Sequence, residues 1–151
     1  MPLGASIQVS ASGLTAERLR LDVISNNIAN ANTTRGVDGQ PFRRKEVVFS
    51  ARGAGGNDFA SQLASARGGG ASGAGGGVEV SEIRDDTSDF QMVYDPGHPD
   101  ADKKTGIVKM PNVNPILEMV DMMSATRAYE GGIAAVNAAK QMQARALDIG
   151  K

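Results

Sequence analysis

The chain has 151 residues, a net charge of -1, no Cys and an aromatic content of 4%. Near-neutral charge gives no basis for binding nucleic acid or an anionic membrane, and no apolar run reaches the length of a transmembrane helix. The lack of Cys removes disulfides, thiol chemistry and Cys-ligated metals, and the scarcity of aromatic side chains leaves little material for a compact core.

In chain order, residues 4–32 lack Pro, and Ile7, Leu14, Leu21 and Ile28 recur every seven residues. Ala11, Arg18, Ile24 and Ser25 fill the intervening positions, so the stripe has 3-4 spacing but is thin and partly polar. This predicts a helix of about 29 residues and roughly 43 Å. Ser12 followed by Gly13 could start or bend it, which leaves the start open. It ends in SNNIANANTT, residues 25–34. Asn amides compete for backbone hydrogen bonds, so Asn26, Asn27, Asn30 and Asn32 suit a helix end, turns or bonding across an interface. A frayed terminus is the plainer alternative.

Residues 35–41 are turn material, with Gly36, Gly39 and Pro41 close together. Residues 42–49, FRRKEVVF, predict a short strand. Its cluster of Arg43, Arg44 and Lys45 reads as a solvated strand edge, with contact to an acidic segment as the functional alternative. Residues 52–77 are dominated by Gly, Ala and Ser and read as a loop or linker, with a short helical turn predicted within 57–66. No Lys followed by Ser or Thr comes after the Gly runs, so a phosphate-cradling loop is rejected.

Residues 78–83, 90–94 and 107–110 predict further short strands, giving a small sheet of three or four. Asp95, His98, Asp100 and Asp102 lie close together, and carboxylates with a His can bind a metal or transfer protons. Lys104 stands where a calcium loop needs its third ligand, and no second His is available for a zinc site. With Pro96, Gly97 and Pro99 around it, this segment reads as a rigid hairpin connection. A nucleophile elbow and a catalytic triad are also missing, so no enzyme signature remains, and neither cofactor nor metal is expected.

The last segment organises the chain. Asn114 followed by Pro115 starts a helix, and Gly150 sits where a terminating Gly belongs. Met119, Met122, Thr126, Tyr129, Ile133, Val136, Lys140, Gln143 and Leu147 recur at alternating spacings of three and four. This predicts a packing seam along a helix of roughly 35 residues and about 50 Å. A chain of this size cannot wrap a core around such a rod. Both terminal helices match in length and period, which fits an antiparallel pair that finds further partners. The expected fold is therefore α+β, with long terminal helices paired as an antiparallel coiled coil, a small β-rich centre and a Gly-rich loop. The expected segments are 1–34 for the first helix, 35–113 for the centre with its loop at 52–77, and 114–151 for the last helix.

At this point the residues carry a family resemblance. SGLTAERLRLDVISNNIANANTT, from Ser12, resembles the N-terminal signature of flagellar rod, hook and hook-associated proteins, and PNVNPILEMVDMMSATRAYEGGIAAVNAAK, from Pro111, resembles their C-terminal signature. FRRKEVVF, VYDPGHPDAD and KMPNVN are similar to proximal-rod proteins of the bacterial basal body. The likeness spans nearly the whole chain outside residues 52–77. It departs at Gly131 and Gly132, where two interior Gly cost the helix roughly 1 kcal/mol each against Ala. Either a neighbour packs unusually close there or the helix bends.

The resemblance implies a structural subunit of the periplasmic rod, whose terminal helices polymerise into a tube that transmits torque to the hook and encloses the export channel. It implies as partners other copies of the chain, the rod proteins FlgB, FlgF and FlgG and the adaptor FliE, and passage through the flagellar type III apparatus without a cleaved signal peptide. No nucleic acid and no direct membrane insertion are expected. The expected subunit interface is Ile7, Leu14, Leu21 and Ile28 with Met119, Met122, Tyr129, Ile133, Val136 and Leu147, joined by the four Asn, which are expected to bond across subunits. Packing within one subunit's own helix pair is the alternative for each apolar residue; Arg127 with Glu130 is expected as an interhelical ion pair, with an exposed local pair as the equal alternative. A monomeric periplasmic binding or adaptor module with a coiled-coil handle is the competing reading of the whole chain.

Overall fold

The structure is a computed structural model that describes residues 3–36, 38–52 and 76–149. Helix α1 spans Leu3–Ala29, and helix α2 spans Pro115–Ile149. Between them lie β1 (Lys45–Ala51), β2 (Val78–Asp85), β3 (Gln91–Tyr94) and β4 (Ile107–Met110). Expected and observed ends agree to within three residues for α1, β2 and β3, and β4 matches. The first strand differs more: its Phe42–Arg44 lead is a connection, and pairing starts at Lys45. The expected helical turn within 57–66 lies outside the described residues.

The strands form two two-stranded sheets, β1 with β2 and β3 with β4, instead of one. The Asp86 amide donates to the Arg44 carbonyl beyond one end of the first pair, and the Arg52 amide donates to the Gly77 carbonyl beyond the other, so β1 and β2 run antiparallel. β3 and β4 are antiparallel with Gln91 opposite Met110 and Tyr94 opposite Ile107. Gly106, at φ 67°, closes their connection where an added Cβ would lie 2.8 Å from the Tyr94 ring. Alternation along one strand specifies which face is buried but not which strand is its neighbour.

Two compact units divide the chain. One holds Met1–Arg18, Phe49–Ser81 and Arg127–Lys151; the other holds Leu19–Val48 and Glu82–Thr126. In the first unit, the Val78 amide donates to Ser12 Oγ at 2.9 Å while that hydroxyl donates to the Val9 carbonyl at 2.7 Å. Ser12 thus ties the start of β2 to α1, and the helix neither starts nor stops there. Gly77 enters this contact at φ 86°, and an added Cβ would collide with the Ser12 hydroxyl. In the same unit Leu14 packs over Gly132: an added Cβ at 132 would lie 2.8 Å from Leu14 Cδ2. The close approach, not a bend, accounts for this Gly. Gly131 faces open space.

The second unit holds most of the buried apolar side chains: Val23, Ile24 and Ala31 from the first helix and the residues just after it, Val108 and Val113 from the β4 region, and Ala125 from α2.

The buried stripes differ from the expected seams. On α1, Ala16, Val23, Ile24 and Asn27 are buried, while Ile7, Leu14, Leu21 and Ile28 are only half-buried. On α2, Glu118, Ala125 and Ala139 are buried, and Met122, Tyr129, Gly132 and Val136 are half-buried. Met119, Thr126, Ile133, Lys140, Gln143 and Leu147 are exposed. The expected α2 seam therefore mixes two faces. Its Met122, Tyr129 and Val136 lie on the inward stripe, but the positions between them belong to small residues one place earlier: Ala125, Gly132 and Ala139.

Candidate subunit interface and the polar knot beside it

The start of α2 is built by its own sequence. Asn114 Oδ1 accepts the amides of Ile116 at 3.0 Å and Leu117 at 3.4 Å, capping donors that the helix itself cannot satisfy. Pro115 fills the first helical position, where a missing N–H costs nothing. This fixed start turns Glu118, Met122 and Ala125 inward, and the 100° step per residue puts Ile116, Val120 and Met123 on the opposite side. These three are exposed, as are Leu117 and Met119 beside them; Ile116 is 73% exposed. Five large apolar side chains within eight residues thus face away from this unit's core. Singly exposed apolar residues need no explanation, but a contiguous patch marks an interaction surface.

The inward side of the same two turns is polar. Glu118 and Asn27 are each 1% exposed. Asn27 Nδ2 donates to Glu118 Oε2 at 3.0 Å and to the Lys45 carbonyl at 2.9 Å, and its Oδ1 accepts the Lys45 amide at 2.9 Å. Arg44 Nε donates to Glu118 Oε1 at 2.5 Å. The same guanidinium meets Glu46 at 2.6 Å, Asp121 at 3.3 Å and Asp86 at 3.8 Å. Asn112 supports it from behind, accepting the Arg44 amide at 2.8 Å through Oδ1 and donating to Ser88 Oγ at 2.9 Å. Arg43 reaches the Asp86 carbonyl at 3.1 Å and lies 4.4 Å above the Phe90 ring. An open cleft of about 420 Å³ lies here, lined by Arg44, Asp86, Asn112, Leu117, Val120 and Asp121 among others.

Electrostatics follow from this placement. Burial works to lower the Arg44 pKa, but the hydrogen bond and charge of Glu118, with Glu46 and Asp121, outweigh it and raise the group above its ordinary value. The Asp86 carboxyl is held below its ordinary value by hydrogen bonds from the Ser88 amide and hydroxyl, with Arg44 and Arg43 adding to the effect. The basic cluster is thus no solvated edge. Arg44 is paired with Glu118 and Asp121 on α2, with Glu46 on β1 and with Asp86 just after β2, none of them in the acidic 95–102 segment. Arg43 donates to the Asp86 and Ser88 carbonyls, and only Lys45 is exposed.

Of the four Asn, Asn27 spends both ends of its amide inside the subunit. Asn30 Nδ2 donates to the Asn26 carbonyl at 2.9 Å and its Oδ1 accepts the Thr33 hydroxyl at 3.2 Å, while Asn26 and Asn32 are exposed. The 95–106 cluster is organised as turns: His98 Nδ1 accepts the Asp100 amide at 3.1 Å, and Asp102 accepts the Lys104 amide and the Thr105 hydroxyl. Asp100 also accepts the Thr34 hydroxyl at 2.7 Å.

Reading the sequence missed Arg44, Glu118, Asn112 and Asp86. One signal was present: Glu118 is the charged member of an inward stripe that continues seven residues on as Ala125, and a charge among apolar and small residues invites a search for its partner.

Residues 7–35 match the family model described as flagella basal body rod protein, and residues 104–149 match that described as flagellar basal body rod FlgEFG protein C-terminal. The first match covers most of α1 and the residues just after it, and the second covers β4 and α2. The FlgC flagellar basal-body rod protein of Bacillus subtilis is 50% identical, with 97% of each chain covered. The chain belongs to the FlgC family of flagellar basal-body rod proteins. The relative from Borreliella burgdorferi is 45% identical over 99% of this chain and 98% of its own, and that from Escherichia coli O6:H1 is 39% identical over 95% and 94%. The family is a structural one, and the matched lengths span nearly the whole chain.

Proposed function

We infer that this chain is a structural subunit of the bacterial flagellar basal-body rod that polymerises through its terminal helices into a helical tube. The observation that carries the reading is the outward patch of Ile116, Leu117, Met119, Val120 and Met123 at the capped start of α2. Apolar area of this kind is stabilised when a neighbour covers it, and repetition of one head-to-tail contact that does not close yields a tube. In this reading α1 and α2 pair antiparallel inside the subunit; each unit supports their contact by itself, one through Leu14 against Gly132 and the other through Asn27 bonded to Glu118.

In this reading Met119, Ile133 and Leu147 face neighbours, while Met122, Tyr129 and Val136, with Ile7, Leu14, Leu21 and Ile28, line the helix pair and its edges. Asn32 and the amide nitrogen of Asn26, both on exposed residues, bond across subunits. The tube encloses the export channel and carries torque to the hook. Its neighbours are further copies, FlgB, FlgF and FlgG, and FliE at the base. The rod lies in the periplasm, and the chain reaches it through the type III apparatus without a cleaved signal peptide.

The combined substitution Val120→Asp with Met123→Asp tests the inference. Both side chains point away from the buried stripe, so the chain is expected to be made and exported while rods fail to form and swimming is lost. Normal rods in that strain would remove the patch from the assembly.

A further inference from the structure

The inward stripe of α2 repeats at seven-residue intervals, Glu118, Ala125, Gly132 and Ala139, and three of the four are small. A seven-residue slide of one helix along the other therefore sets small residue on small residue. Leu14 over Gly132 leaves no room for a Cβ and so favours the observed register, but the other inner positions, all small, distinguish such registers poorly. Glu118 and Asn27 do distinguish them: both are buried, they bond each other, and Glu118 also takes Arg44 while Asn27 takes both backbone groups of Lys45. In a slid register Glu118 loses Asn27 and Arg44 and is left a buried charge without partners, which costs far more than the bond itself contributes.

We propose that the Asn27–Glu118 pair, held by Arg44, sets the register of α1 against α2 and so fixes which faces the subunit presents to its neighbours. The proposal rests on the helix pairing stated under Proposed function. Its physical basis is that a buried polar contact stabilises weakly but selects strongly, as a single polar residue does in a coiled-coil seam.

The chain has no Cys, so introduced pairs report position without interference. Leu14→Cys with Gly132→Cys reads the observed register, and Leu14→Cys with Ala125→Cys or Ala139→Cys reads slides of seven residues either way. Each pair is placed in the full chain in flagellated cells, treated with a short bismaleimide, and scored in isolated basal bodies as an intramolecular cross-link. With the knot intact, the 14/132 pair is expected to dominate. With Glu118→Ala, the ratio of 14/132 to slid cross-links falls about tenfold or more. Asn27→Leu with Glu118→Leu, which leaves neither a buried charge nor a buried amide at the two positions though it strips the Lys45 backbone of its partners, does the same and serves where Glu118→Ala does not assemble.

An unchanged preference for 14/132 in both knot variants would overturn the register assignment and leave the helix pairing standing. Failure of the 14/132 pair to cross-link with the knot intact would overturn the pairing itself, and the register assignment with it.

Discussion

At the residue scale, the energetics of the knot are asymmetric. Asn27→Ala removes the donor to Glu118 and also strips partners from the Lys45 amide and carbonyl. Glu118→Ala removes the buried charge itself, and Asn27 keeps both bonds to Lys45 while Arg44 keeps Glu46, Asp86 and Asp121. Losing a partner of a buried charge is the costlier event. Asn27→Ala should therefore destabilise by about 3 kcal/mol and Glu118→Ala by less, read as the midpoint of urea unfolding of the assembled form. Equal losses would mean that Asn27 acts through Glu118 alone. Asp86 provides a pH-dependent test. Its folded pKa lies below the ordinary 3.8, so its contribution is present above that pH and is lost as the pH falls below it. Asp86→Asn should lower the melting temperature at neutral pH, and the gap to the unchanged chain should close on acidification below 3.8.

At the scale of elements, the two interior Gly of α2 separate propensity from packing. Gly131→Ala meets open space and should stabilise the helix by about 1 kcal/mol. Gly132→Ala gains the same propensity but pushes against Leu14, so its gain should be smaller or reversed, and Leu14→Ala should restore it. Additive thermal shifts for Leu14→Ala and Gly132→Ala would show that the two do not touch. The helices themselves were legible because caps, Pro placement and periodicity are local: Asn114 and Pro115 announce α2 without any tertiary knowledge. The inward face of α2 was not. Its inner positions are Ala and Gly, which carry little hydropathy, while bulky apolar residues occupy the outer face as well, so a search for large side chains merged the two. Arg44 was misread for a related reason. Its partners Glu118 and Asp121 lie far along the chain, and no local pattern links them. Family motifs at both termini supplied the function where local pattern supplied only helices.

At the scale of the whole molecule, this chain pairs long helices with few large buried side chains. Its largest fully buried side chains include Glu118, Asn27 and Pro111 beside Val108, a core of polar and small groups. Exposed apolar residues lie along the outer side of α2 and on β3, where Met92, Val93 and Tyr94 all face outward. A chain that leaves many of its large apolar side chains outside, and buries small and polar groups beside a few Val and Ile, gains much of its stability from neighbours. Helix order and subunit association should then be one linked equilibrium. Far-UV circular dichroism of the isolated chain, followed together with sedimentation across micromolar concentrations, tests this most directly. The expected result is a weakly helical monomer whose helix content rises as it associates. A compact, fully helical monomer with no concentration dependence would contradict it, because the outward faces would then need no neighbours to be stable.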